Sequence, residues 1–200
     1  MNGPDSDALD AQDMVRLAGG HDPALNDLMD RHAQRLFHYL LRSLQDESDA
    51  ADLAQETFVK VYQHRTRFDP NQKFSTWLYA IASNLVRSRY RWRTRHPQVS
   101  LDAPNSDTGN EFVDRLADVA GTPSEALQSQ ERAEAVRRAV AALPEDLRQP
   151  LILAEWEGKP QAEIAVILNC TVKAVETRIY RARKQLRESL GSLLETNSAK

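Results

Sequence analysis

The sequence predicts an all-α protein: two small helical domains joined by an acidic linker. Three observations carry that expectation. Apolar residues recur at helical spacing, and no strand-like alternation competes with them. With 41% hydrophobic residues, 28% charged residues, 7 Gly and 9 Pro, the composition suits globular helices and excludes collagen-like or wholly disordered chains. Charge is uneven, at net zero over residues 1–96, −5 over 97–130 and +2 over 131–200, which sum to −3. The expected layout is a first domain at 1–96, an acidic linker at 97–123, a second domain at 124–193 and a polar tail at 194–200. The linker holds Pro97, Pro104, Pro123, Asn105, Ser106, Asp107 and Gly109, which favour turns, though Glu111 to Val119 suits a short helix.

In the first domain, Leu9, Met14 and Leu17 suggest a short helix before Gly19-Gly20. Asp22-Pro23 reads as a cap and first helical position. Leu25, Leu28, Met29, His32, Leu36, Leu40 and Leu44 follow at helical spacing. Another helix starts near Ser48, with Leu53, Ala54, Phe58, Val61 and Tyr62 on one stripe, and ends before Asp69-Pro70. The next starts near Ser75, with Trp77, Leu78, Ile81, Ala82 and Leu85 inward.

Three surface features of this domain bear on function. Asp49, Asp52 and Glu56 share a helix face beside Gln55. That is either a binding face or a solvated helix start, where the dipole favours carboxylates. Arg87, Arg89, Arg91, Arg93 and Arg95 interleave with Tyr90 and Trp92, and no acid lies between Ile81 and Gln98. Guanidinium groups can contact phosphates and aromatic rings can stack on bases, which favours nucleic acid over a merely solvated helix end. The loop Phe68-Asp69-Pro70-Asn71-Gln72-Lys73 is rich enough in hydrogen-bonding groups to form a base pocket, and equally suits a plain turn.

The second domain reads as a helix-turn-helix. Ala126 to Leu143 and Leu147 to Trp156 are periodic, and Gln161 to Leu168 is a short helix. Asn169-Cys170-Thr171 makes a tight turn, since Asn tolerates the left-handed region and Thr171 can cap the last helix. In that helix Val172, Val175, Ile179, Ala182 and Leu186 form a buried stripe. Opposite lie Lys173, Thr177, Arg178, Arg181, Arg183, Lys184 and Arg187. A recognition helix in a major groove needs apolar residues inward and basic or hydroxyl groups outward.

No catalytic constellation emerges. His21, His32, His38, His64 and His96 form no metal-ligand spacing, and neither metal nor cofactor is expected. The single cysteine, Cys170, excludes a disulfide framework and reads as a packing residue. No apolar run approaches the ~20 residues a spanning helix needs. Met1 to Asp13 is acidic and polar, unlike a secretion signal, so a cytoplasmic protein without membrane insertion is expected.

These residues carry a family resemblance. Asp49-Ala-Ala-Asp-Leu-Ala-Gln-Glu-Thr-Phe58, followed by Phe74-Ser-Thr-Trp-Leu-Tyr-Ala-Ile-Ala-Ser-Asn84, resembles region 2 of bacterial sigma factors. Leu143-Pro-Glu-Asp-Leu-Arg148, Glu157-Gly158, Glu163-Ile-Ala165 and Arg178-Ile-Tyr-Arg-Ala-Arg183 resemble region 4. Both regions, in order and closely spaced, resemble the extracytoplasmic-function (ECF) group over roughly residues 10–190.

The resemblance implies roles. Asp49, Asp52, Gln55 and Glu56 would contact the β′ clamp helices of core RNA polymerase. Phe68, Asn71, Lys73, Arg87, Tyr90 and Arg91 would hold the unpaired minus-10 strand. Trp77, on the apolar stripe, reads as core. Lys173, Thr177, Arg178, Tyr180 and Arg181 would meet the duplex minus-35 element, with this domain near the β flap. The linker would thread toward the RNA exit channel. An anti-sigma factor is a further partner the family admits. Glu176 stands where many relatives carry a basic residue, and Asn169-Cys170 lacks the common glycine. Two other readings stay open: a helix-turn-helix regulator that is not a polymerase subunit, and, least supported, a helical enzyme.

Overall fold

The structure is a computed structural model. It describes residues 4–96 and 123–195, and the linker, its expected short helix and the end of the polar tail lie outside the described residues. The described residues form eight α-helices and a 3-10 turn, with no strand among them. They are α1 (Pro4–Ala18), α2 (Ala24–Leu44), α3 (Glu47–Gln63), the 3-10 turn (Arg65–Arg67), α4 (Phe74–Arg95), α5 (Pro123–Ala141), α6 (Glu145–Glu155), α7 (Gln161–Ile167) and α8 (Val172–Glu195).

The apolar stripes bury as the spacing predicts, with instructive exceptions. Met14 and Leu17 of α1 are buried, but Leu9 faces solvent. Its place inward is taken by Asp10, fully buried, whose oxygens meet Arg31 Nε at 2.8 Å and His32 Nε2 at 2.7 Å. Burial alone would raise Asp10; the bonds from His32 and Arg31 outweigh it and hold the carboxyl below its usual range. α2 begins without the Asp22 side-chain cap: Pro23 is already helical, and backbone bonds such as Leu25 N–H to Asp22 O close the first turn. α3 is capped by Asp46, whose Oδ1 accepts the Asp49 N–H at 2.8 Å.

α6 is the element that joins the two halves. Leu147 to Leu153 are seven consecutive buried residues, so α6 is covered on every side rather than on one stripe. It packs on α8 within its own half and on α2 and α4 of the other. The two expected domains therefore share one continuous apolar core, which runs from Leu28, Leu36 and Leu40 through Leu78 and Ala82 to Leu151, Ile152 and Ile164.

In the helix-turn-helix, Asn169 adopts φ 50°, the left-handed turn its side chain tolerates. Thr171 Oγ1 accepts the Ala174 N–H at 3.2 Å and starts α8. Val175, Ile179 and Ala182 are buried, whereas Val172, at the first helical position, is exposed.

Candidate nucleic-acid interface

The sequence-predicted residues fall on three faces. The first is on α3. Asp52, Gln55 and Glu56 are exposed, and Lys60 Nζ lies 3.5 Å from Glu56 Oε1. Val59, 51% exposed, lies on the same stripe and was missed in the sequence because Phe58 and Val61 beside it read as core. The face thus combines carboxylates with one exposed apolar side chain, a mixture compatible with a protein-binding surface. Asp49 stands apart: its carboxylate is turned onto Arg89 and Arg93 of α4.

The second face comprises the 68–73 loop and α4. Phe68 does not lie open as a stacking platform; its ring packs 6.1 Å from Phe74 and 5.3 Å from Trp77, which anchors the loop to the core. Trp77 is half-buried in that cluster. Asp69 Oδ1 accepts both the Asn71 N–H and the Asn71 amide at 3.0 Å, so the exposed Asn71 is held in a turn. Arg91 and Trp92 are exposed, with Trp92 stacked on His96 at 5.0 Å.

Three residues on this face are engaged by the other half. Lys73 Nζ donates to Glu163 Oε1 at 2.9 Å, which raises Lys73 above its usual value. Arg87 Nη2 reaches the Leu168 carbonyl at 3.4 Å. The Tyr90 hydroxyl donates to Ser43 O and accepts from Arg148 Nη1, both at 2.5 Å. Tyr39 donates to Gln149 Oε1 at 3.1 Å, Tyr79 to Glu157 Oε2 at 2.6 Å and Lys159 to Ser75 Oγ at 2.8 Å. A polar cavity of about 360 Å³ lies at this junction, with Lys73, Glu157, Lys159 and Glu163 in its wall.

The third face is on α8. Lys173, Thr177, Tyr180 and Arg181 are exposed, Tyr180 by 70%, while Arg178 is half-buried. Glu176 Oε2 lies 3.0 Å from Lys173 Nζ, and Thr177 Oγ1 donates to the Lys173 carbonyl at 2.9 Å. Arg183 is tied to Glu155 at 2.6 Å, which fixes α8 against α6. Among the described residues no group of three or more His, Cys, Asp or Glu is placed to hold a metal. No described helix is long and apolar enough to cross a membrane.

A helix-turn-helix with an exposed basic second helix, beside a second helical unit with its own basic stretch, defines a DNA-binding class of protein. Comparison with known proteins narrows it. Sigma-70 region 2 matches residues 28–96 and sigma-70 region 4 matches 133–186. The chain is 34% identical over 175 residues to the ECF RNA polymerase sigma factor SigW of Bacillus subtilis (strain 168), covering 87% of this chain and 92% of that one. It is 32% identical over 191 residues to the RNA polymerase sigma-H factor of Pseudomonas aeruginosa, covering 92% and 95%. Among solved structures, CnrH in complex with the cytosolic domain of CnrY aligns with TM-score 0.66 at 26% identity over 92% of this chain and 98% of that one. The sigma factor RpoE from Bartonella quintana, solved with the anti-sigma factor NepR, shares the fold at TM-score 0.66 and 21% identity over 84% and 98%.

The chain belongs to the sigma-70 family, in its extracytoplasmic-function branch. It is an RNA polymerase sigma factor: it binds core polymerase and promoter DNA, confers promoter recognition and aids promoter melting. A helix-turn-helix regulator working apart from polymerase is not favoured, since region 2 accounts for residues 28–96.

Proposed function

We propose a division of labour among the three faces. Asp52, Gln55, Glu56 and Val59 of α3 dock on the β′ clamp helices. Asn71 and Arg91, with Lys73, Arg87 and Tyr90, hold the unpaired minus-10 strand, and Phe68 braces the loop from beneath. Lys173, Thr177, Arg178, Tyr180 and Arg181 meet the minus-35 duplex while the second half sits near the β flap. The protein acts in the cytoplasm and catalyses no covalent step. Strand capture offsets the few kcal/mol of unstacking and unpairing that opening costs.

Lys73, Arg87 and Tyr90 are engaged by the second half in the packed form, so strand capture requires the halves to separate. Core polymerase drives that separation by binding the open form better than the closed one. An anti-sigma factor would act in the opposite sense, as a cover over these faces.

The observation that carries this reading is the exposed face of α8, where Lys173, Thr177, Tyr180 and Arg181 line one side of the second helix of a helix-turn-helix. Footprinting of the holoenzyme on a cognate promoter tests it. Protection of both elements is expected, with minus-35 protection lost in Arg181→Ala. Protection of minus-35 unchanged in that variant would remove α8 from the duplex contact.

A further inference from the structure

Asp49 differs from the residues it was grouped with. Its side chain is only 14% exposed, against 48% for Glu56, and both its oxygens are taken. Oδ1 accepts from Arg89 Nη1 and Oδ2 from Arg93 Nη2. Arg93 also reaches Asp46 Oδ2 at 3.3 Å. Asp46 is the cap that receives the Asp49 N–H, so the cap of α3 and the acceptor of both arginines form one unit.

What this unit holds is the far end of α4. Val86 is the last fully buried residue of that helix. From Arg87 to Arg95 no apolar side chain is fully buried; Tyr90 packs partly against the core, and polar bonds add to that hold on the region 2 side: Asp46 and Asp49 to Arg89 and Arg93, and Tyr90 to the Ser43 carbonyl. Arg89 and Arg93 are one turn apart and face α3. Arg91 and Arg95, also one turn apart, fall on the opposite side of the helix and are exposed. The five arginines that look alike in the sequence are thereby sorted: Arg89 and Arg93 turn inward onto Asp49, Arg91 and Arg95 face outward, and Arg87 reaches the Leu168 carbonyl.

We propose that Asp49 is a positioning residue for strand capture and not a polymerase contact. It neutralises Arg89 and Arg93 and fixes the end of α4, so that Arg91 and Arg95 present guanidinium groups to the phosphates of the single strand. This rests on the reading of α4 as the strand-holding helix and of Asp52 and Glu56 as docking residues.

The experiment uses the full chain with core polymerase. Core affinity is read by competition, promoter opening by 2-aminopurine fluorescence in the minus-10 element at saturating holoenzyme, and folding by thermal melting. Asp49→Asn should keep core affinity while slowing opening about fivefold, the effect of losing an ion pair worth about 1 kcal/mol. Asp49→Glu should recover much of the rate, and exchanging the charges, Asp49→Arg with Arg93→Asp, should recover part of it. Core affinity lost in Asp49→Asn as far as in Asp52→Asn would make Asp49 a direct contact and overturn the proposal. So would opening at the wild-type rate, or a charge exchange no faster than Asp49→Arg alone. Two controls test the underlying reading separately: Asp52→Asn must lose core affinity and Arg91→Ala must slow opening.

Discussion

Tyr79 and Glu157 meet across the boundary between regions 2 and 4, where the tyrosine hydroxyl donates to Glu157 Oε2 at 2.6 Å. Both residues are buried. Gly158, at φ 62°, lets the chain reverse after α6 and points Glu157 back into the junction. Arg35 Nε at 3.7 Å and Arg42 Nη1 at 4.0 Å supply the compensating charge. Burial, and then the negative charge of Glu157, push the Tyr79 hydroxyl well above its ordinary value, so it stays a donor throughout the accessible pH range.

Tyr79→Phe should therefore destabilise the packed form by about 1.5–3 kcal/mol, the scale of a hydrogen bond to a charged acceptor left short of a donor. Denaturant unfolding measures this. A change below about 0.5 kcal/mol, the scale of a neutral surface substitution, would mean that the junction does not hold the halves together.

Acid should loosen the same junction. Burial would raise Glu163, but the hydrogen bond from Lys73 and the charge of Lys159 outweigh it and hold the carboxyl below its ordinary 4.5. A depressed carboxyl contributes stability that is present above its unfolded value and lost as pH falls through the folded value. Asp10, also depressed, acts in the same direction. Glu145, raised by burial, acts in the opposite one and offsets part of the effect. Stability should fall as pH drops below about 4, and Glu163→Gln should flatten that fall. Stability that rises on acidification from about pH 5 to about pH 3 would contradict the assignment.

The exposed α3 stripe gives a different signature. Asp52→Ala combined with Glu56→Ala should weaken core polymerase binding while stability stays within about 0.5 kcal/mol of wild type, because neither side chain is buried. A large drop in melting temperature would show that these carboxylates are structural.

On the recognition helix, Arg181→Ala should reduce transcription from a cognate promoter without altering core affinity. Unchanged output would take Arg181 off the contact surface.

Much of this was legible in the sequence. The stripes Leu28-Leu36-Leu40 and Val175-Ile179-Ala182 announced their helices because a 3.6-residue period leaves few alternatives. The Asn169 turn was legible because few residues accept that backbone. The junction was harder to see. Its key groups, Tyr39, Tyr79, Gln149 and Glu157, are polar residues that a pattern of apolar spacing assigns to no face, and their partners lie about 80 to 110 residues away. One signal was present: the run Pro150-Leu151-Ile152-Leu153 is apolar on all sides of α6, which requires cover from two directions. Asp10 hid for the same reason as Glu157, since an acid on an inward face is only intelligible once Arg31 and His32 are beside it. Asp49 shared a period with Asp52 and Glu56, and spacing alone does not tell a carboxylate that faces solvent from one that faces Arg89.

Run-off transcription with purified core polymerase on genomic fragments at low salt tests the central claim most directly. Discrete start sites are expected only when this protein is added, each preceded by shared minus-10 and minus-35 sequences. Core polymerase that neither binds the protein nor gains any new start site under those conditions would contradict it.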